Sequence, residues 1–469
     1  SRPAEARYRS TKAFAAFANF RREDKEGTGY AGVGNFTTAL QIPEPLDSTI
    51  DSYELGVQWT GKSAFARLSY FVQEYDDELN GLTWENPYIP FNGATTGRMA
   101  TAPDNEMEQI LLSAGAHFAY DTSIGFNAVF GKLSQDDALL PFTTNAGVSP
   151  GALPRASLNG DADVNHFGLT LATHPLDKIR VRGSASYDER KDNTGSITFT
   201  NGYVESDMFS FPDSITPERY DYERLRGEIE GEYRLYDNVR LFVGARGEEL
   251  KRTEQDVDKT TEGTGYSGVR LNGLGGVTME LRIGETHKDA SDTRTPESWE
   301  NPSFWKYNLA NRDRDFGDVK LSYAPIESVT LALDGQIAND SYRKSEYGLQ
   351  SGSDRRGALN VTWMPKEGLS LYGDFAYQQI KAEQTNVGGT PANEWEATHK
   401  DIYRTWGFGA RYMGIADKWD LQLDLAKAKS DGEINTITGE FPDNESDFES
   451  VRFAAYYHVN DALKLGVGV

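Results

Sequence analysis

No cysteine occurs anywhere in the 469 residues. A disulfide framework, a thiolate metal site and a covalent haem attachment sequence are therefore excluded within these residues. No apolar run approaches the roughly 20 residues that a spanning helix needs. Together with a mean hydropathy of −0.61, that rules out a bundle of transmembrane helices. It does not rule out a membrane barrel, in which only alternate residues meet lipid. Helical periodicity of useful length is missing as well. Basic residues are in deficit, with 48 Lys and Arg against 72 Asp and Glu and a net charge of −24. No basic stripe stands out, so nucleic acid is not an expected partner. Ser1 opens the chain without a charged-then-apolar signal segment, which fits a processed or truncated start.

What is present is alternation, written most clearly from Tyr220 to Lys251. Leu225, Gly227, Ile229, Gly231, Tyr233 and Leu235 alternate with Arg224, Arg226, Glu228, Glu230, Glu232 and Arg234. Successive side chains of a strand point to opposite faces, so this is one strand with an apolar face and an ionic face. After Tyr236-Asp237-Asn238 the pattern resumes, with Val239, Leu241, Val243, Ala245 and Gly247 on one side and Arg240, Gly244, Arg246 and Glu248 on the other. A three-residue loop sets Leu235 opposite Val239 and Tyr233 opposite Leu241, and it brings the two apolar faces together. Across the ionic face it predicts Glu228 against Arg246 and Arg226 against Glu248, with Arg234 against Arg240 as the unfavourable exception.

The same hairpin recurs along the chain. Lys12 to Arg21 reads as a first strand, followed by a long polar loop to about Thr49. Gly61-Lys62 reads as a two-residue turn pairing Trp59 with Ala64, Leu55 with Leu68 and Tyr53 with Tyr70. Further tight turns are expected at Tyr120-Asp121, His174 to Asp177, near Gly275, at Ala324-Pro325, Pro365 to Gly368, near Ile415 and at Asn460-Asp461. Tight turns and long polar connections alternate, giving about nineteen strands in hairpin units of roughly 50 residues. No composition break divides the chain, so residues 1–469 read as a single barrel domain. Because bacterial single-chain barrels have even strand numbers, strands are expected to be missing from one or both ends.

Large aromatics fall at two levels. Trp59, Tyr120, Tyr233, Tyr236, Tyr323, Trp363, Tyr412, Trp419 and Tyr457 lie beside tight turns, and Tyr53, Tyr70, Tyr75, Tyr187, Tyr220, Tyr222, Tyr377 and Tyr403 lie near the long connections. Aliphatic alternation of about nine residues between two aromatic levels suits a tilted strand crossing an apolar band of roughly 25 Å. The fold class is thus all-β, a large antiparallel up-and-down transmembrane β-barrel. Leu225, Ile229, Tyr233, Leu241, Val243 and Leu423 are its lipid-facing candidates. Arg224, Arg226, Glu228, Glu230, Glu232 and Arg246 are its lumen-facing, partner-contacting candidates.

Local chemistry is sparse. His117, His166, His174, His287, His399 and His458 are scattered and do not converge as haem or zinc ligands. Asp161 to Asn165 resembles the opening of a calcium loop, but no Gly stands at the sixth place and Ala172 stands at the twelfth. Asp443 to Asp447 is acidic enough to hold calcium loosely, or simply to be solvated. Gly263 to Gly276 leads into a strand, which argues against a phosphate cradle. No nucleophile elbow occurs, and the chain is read as a non-enzyme with no catalytic, cofactor-binding or metal-binding residue.

Five stretches carry a resemblance: Leu82-Thr83-Trp84-Glu85-Asn86-Pro87-Tyr88, Ala102 to Glu106, Leu140 to Asn145, Leu153 to Gly160, and Tyr187-Asp188-Glu189-Arg190. In this order they resemble the MtrB/PioB family of decahaem-associated outer-membrane proteins. The resemblance implies a barrel of the Gram-negative outer membrane, with long loops extracellular and short turns periplasmic. It also implies a sheath around a periplasmic decahaem or other multihaem c-type cytochrome, often with a second multihaem cytochrome outside. Haem c would belong to the partner and not to this chain. The Cys-x-x-Cys that family members often carry near the mature N-terminus does not occur in these residues, so it is either upstream of Ser1 or absent. From the residues alone, a porin-like or substrate-specific solute channel remains the alternative.

Overall fold

The computed structural model describes residues 2–9, 13–35, 38–85, 95–147, 152–200, 203–205, 209–211, 214–253, 256–291, 301, 303–387, 394–416, 418–436, 439–460 and 463–468. The first strands are β1 (Arg2–Arg9), β2 (Phe14–Asn35), β3 (Thr38–Thr60), β4 (Ala64–Asp77), β5 (Gly81–Glu85), β6 (Thr96–Ala100), β7 (Asn105–Phe118), β8 (Thr122–Gln135) and β9 (Gly160–Leu176). Next come β10 (Ile179–Asp192), β11 (Tyr203–Glu205), β12 (Phe209–Phe211), β13 (Tyr222–Tyr236), β14 (Val239–Arg252), β15 (Lys259–Leu274), β16 (Val277–Ala290) and β17 (Phe304–Trp305). The remainder are β18 (Asn311–Ile326), β19 (Val329–Arg343), β20 (Tyr347–Lys366), β21 (Leu369–Val387), β22 (Glu394–Ile415), β23 (Trp419–Thr436), β24 (Gly439–Glu440), β25 (Asn444–Asn460) and β26 (Leu463–Gly468). Among the described residues there is no helix, and one sheet contains 22 of these strands. Two of the 22, β17 and β24, are two-residue pieces, so the up-and-down antiparallel meander has twenty strands.

The chain forms two compact units, the first being residues 1–172, 184–225 and 250–254. Here β1 pairs antiparallel with β2, so the strand read as first has a neighbour before it. The expected loop from Arg22 to Thr49 is also a correction, because β2 and β3 pair without a break from Phe14↔Trp59 to Asn35↔Thr38. A ladder is held by backbone groups and needs no apolar side chains, so a polar strand beyond the apolar alternation reads as loop in sequence. The turn at Gly61 is likewise longer than expected. Trp59 faces Ala66, Leu55 faces Tyr70 and Tyr53 faces Val72, with Gly61 N–H donating to Ala64 O at 2.8 Å. This register is two residues away from the expected one, and a two-residue slide leaves both faces unchanged. Between β7 and β8, Tyr120 and Asp121 take φ of +58° and +49°, the left-handed pair of a tight hairpin turn.

The second unit comprises residues 173–183, 226–249 and 255–469. From β15 to β26 each long strand pairs antiparallel with the next long strand. Gly275 and Gly276, at φ +61° and +80°, form the turn expected near Gly275. The turn expected at Ala324-Pro325 falls later, at Glu327-Ser328, while that expected over Pro365 to Gly368 falls at its end, at Glu367-Gly368. The β18–β19 ladder closes at Ile326↔Val329 and the β20–β21 ladder at Lys366↔Leu369, each after a register shift that absorbs Ala324-Pro325 or Met364-Pro365. Proline lacks an N–H and fits such a bulge better than it fits a regular ladder.

Burial is inverted relative to a water-soluble sheet. Ile229 is 57% exposed and Val243 64%, whereas Glu232 on the ionic face is 6% exposed. Leu225, Tyr233 and Leu241 are exposed too, while Leu423 is half-buried between Ala410 and Phe453. The apolar face changes character along each strand. On β16 it runs Met279, Leu281, Ile283 and then Glu285, His287, Asp289; on β19 it runs Leu331, Leu333, Gly335, Ile337 and then Asn339, Ser341, Arg343.

Candidate functional site

The ionic face of the second unit is the most organised polar surface among the described residues. Its centre is Arg270 on β15. The Arg270 guanidinium donates to Glu230 at 2.9 Å, to Glu232 at 2.8 Å and to Glu280 at 2.8 Å, and it lies 4.0 Å above the Phe242 ring. Three carboxylates from β13 and β16 thus converge on one fork, whose five N–H groups can serve several acceptors. Tyr266, four residues earlier on β15, donates its phenol to Glu228 at 2.7 Å. Arg282 grips Asp318 through Nε and Nη2 at 2.9 and 2.7 Å, and Arg314 grips Asp340 through both at 2.7 Å.

Glycines let this face close up. A Cβ at Gly244 would run into the Tyr266 ring, at Gly268 into Phe242, at Gly284 into Phe316, and at Gly409 into Tyr372. In each case an aromatic ring from a neighbouring strand occupies the space a Cβ would take, a packing that glycine permits. Phe242 is 4% exposed in consequence, although it belongs to the ionic face. The aromatics of this face therefore serve packing, while those of the other face are exposed.

The candidate residues are placed as follows. Arg226 pairs with Glu248 at 2.6 Å, the cross-strand pair expected from alternation. Glu228 does not pair with Arg246 and takes the Tyr266 phenol; Arg246 is exposed. Glu230 and Glu232 meet at Arg270. Arg224 is half-buried, 5.7 Å from the Tyr222 ring. The mismatch of Arg234 with Arg240 is relieved because Arg234 donates to the backbone O of Asp177 at 2.9 Å while Arg240 lies 3.5 Å from Glu232. Arg270, Tyr266, Glu280, Phe242 and the Arg282–Asp318 pair were not among the expected residues. The available signal was an aromatic or Arg at ionic-face parity with a Gly one strand away.

At the tight-turn end, outside the apolar stretch, Asp420 accepts from Lys464 at 2.8 Å and from Gly414 N–H at 3.0 Å, with His458 Nε2 at 2.8 Å. Lys464 first, then His458 and the Gly414 amide, hold the carboxyl well below the usual carboxylate range. In the first unit, two of the stretches that carry the family resemblance are held by neighbouring segments. Asp77 N–H donates to the Asp104 carboxylate at 2.7 Å, Asp104 N–H donates to Asp137 at 2.9 Å, and Arg98 donates to the backbone O of Pro141. Asn86 to Tyr88 lie outside the described residues. Asn444 to Asp447 begin β25 and are exposed strand residues, not loop.

A two-faced sheet of this kind has known relatives. Over residues 4–469 the chain matches the profile of the family described as outer membrane beta-barrel porin, MtrB/PioB. It is 27% identical over 474 residues to outer membrane protein MtrB of Shewanella baltica (strain OS185), an alignment covering 98% of this chain. The chain spans 66% of that relative's length. Among solved structures, the copper transporter OprC aligns with 99% of this chain and 72% of its own at a TM-score of 0.57 and 12% identity, a likeness of fold alone. The meander, the exposed apolar face and the near-complete profile match agree: the chain belongs to the MtrB/PioB family and is an integral β-barrel protein of the outer membrane.

Proposed function

We propose that this chain forms the wall of an outer-membrane conduit that encloses a multihaem c-type cytochrome and so lets electrons cross the membrane. The wall performs no redox step and no catalysis. Its apolar face, including Leu225, Ile229, Tyr233, Leu241, Val243 and Leu423, turns to hydrocarbon. Its ionic face, including Arg224, Arg226, Glu228, Glu230, Glu232 and Arg246, turns inward to the guest. The long connections lie outside the cell and the tight turns in the periplasm. Haem comes only with the guest.

Geometry supports the lipid assignment. The uninterrupted apolar stretch of β19 from Val329 to Ile337 is nine residues. At about 3.4 Å per residue and a tilt near 40° it rises roughly 21 Å, close to the roughly 25 Å apolar band of an outer-membrane barrel.

The observation that carries the choice of guest is the self-neutralised ionic face. Charges locked one to one, as Arg226 with Glu248, Arg282 with Asp318 and Arg314 with Asp340, leave little net field to select a small ion, while giving a folded surface a rigid, wettable wall. The porin description of the family keeps one second reading in view, a solute channel. Purification in mild detergent separates the two. Haem-stained protein held at an equimolar ratio is the expected result, whereas ion conductance by the isolated chain with no partner would favour the channel.

A further inference from the structure

On the ionic face of the second unit, near the tight turns, the sign of charge reverses. Acids outnumber bases 72 to 48 over the chain, yet Arg180, Arg182, Arg234, Arg240 and Arg270 fall on this part of the face, and three of them, Arg182, Arg240 and Arg270, reach toward Glu232. The Arg234 N–H donates to Lys178 O at 2.8 Å, which sets the start of β10 beside the end of β13. Arg182 comes within 3.6 Å of Glu232 and Arg240 within 3.5 Å, and Arg180 shares a face with Arg182 by strand alternation.

The carboxylates present do not satisfy these forks. Glu232 Oε2 is held by Arg270 at 2.8 Å, and Glu230 is held by Arg270 as well. The other two guanidiniums that approach Glu232 stop beyond hydrogen-bond length. Arg234 spends Nη2 on the backbone O of Asp177. The Nε atoms of Arg180 and Arg182 are buried without a hydrogen-bond partner. The side chains of Arg182 and Arg240 nonetheless remain 42% and 36% exposed, so an incoming group can reach them.

We propose that Arg180, Arg182, Arg234 and Arg240 form a docking point for carboxylates carried by the enclosed protein, either acidic side chains or the propionates of a haem near its surface. A guanidinium fork matches a carboxylate through two parallel N–H···O bonds, and four forks fixed on strands select a fixed constellation of such groups. The inference rests on the sheath reading above. It gives that sheath a point of register, where elsewhere the wall is internally paired.

The test uses the full-length barrel purified from its native host in mild detergent. Two variants are compared with the parent: the quadruple Arg180→Gln, Arg182→Gln, Arg234→Gln, Arg240→Gln, and the milder Arg182→Gln, Arg240→Gln, each checked for closure by heat-modifiable migration. Haem retained per barrel is followed as sodium chloride is raised. The docking point predicts release from the variants at a several-fold lower salt concentration than from the parent. A fall in guest haem potential alongside early release assigns propionates, and early release at unchanged potential assigns acidic side chains. Equal retention by folded variants and parent overturns the docking point and leaves the sheath standing. No haem on any of the three, with anion-selective conductance that the variants lose, overturns both in favour of a solute anion.

Discussion

Replacing Arg270 by Met removes the one cation that three carboxylates share, and the structure sets the size of the effect. Glu232 and Glu230 side chains are 6% and 14% exposed, Glu280 32%, and Arg270 itself 18%. Breaking a fully buried pair by deleting one partner costs about 3 to 5 kcal/mol, because the other charge is left uncompensated. Here the figure is smaller, since Glu280 reaches water and solvent screens what is exposed. Arg182 and Arg240, at 3.6 and 3.5 Å from Glu232, can also swing toward it. About 2 to 3 kcal/mol is therefore expected for Arg270→Met, read from urea unfolding in phospholipid vesicles. Adding Glu232→Gln should return about 1 kcal/mol by removing the most buried orphaned charge. An Arg270→Met barrel within about 0.5 kcal/mol of the parent would refute the idea that this cluster is a structural element of the ionic face.

Other outcomes follow from the same geometry. Ile229→Arg should cost about 2 to 4 kcal/mol in the same vesicle assay, whereas Glu230→Gln, although it loses one Arg270 contact, should cost less than half as much. Gly409→Ala places a methyl inside the Tyr372 ring and should cost about 1 to 3 kcal/mol, with Tyr372→Ala in the same chain partly restoring it; lack of any rescue would count against ring-over-glycine packing. Asp420 has a folded pKa below its unfolded value, so its stabilisation is present above the ordinary carboxylate range and is lost as pH falls through the folded value. Asp420→Asn should accordingly flatten the acid limb of the urea midpoint against pH, and an unchanged limb would remove Asp420 from the account.

Much of the fold was legible because a strand's two faces are written in its parity. The antiparallel meander, the Gly275-Gly276 turn and the Arg226–Glu248 pair all come from alternation and turn chemistry alone, though alternation counts about nineteen strands and misses β1. What parity could not fix was register modulo two, as at Gly61, and polar strand beyond the apolar stretch, as from Arg22 to Thr49. The Arg270 cluster was hidden for another reason. Its carboxylates Glu230 and Glu232 lie 40 and 38 residues earlier on another hairpin, and within-hairpin reasoning does not see that pairing. Glycine on the ionic face was read only as a small residue, although its role is to receive a ring from the adjacent strand.

The most direct test uses the absence of cysteine. Single Ile229→Cys and Glu230→Cys substitutions can be spin-labelled without background in the barrel reconstituted in phospholipid. A label at 229 is expected to collide with dissolved oxygen in the bilayer and to be shielded from a water-soluble nickel chelate, while the label at 230 shows the opposite or is shielded from both by the guest. Free access of the nickel chelate to the label at 229 would mean that the apolar face does not look into lipid, and the account would fail there.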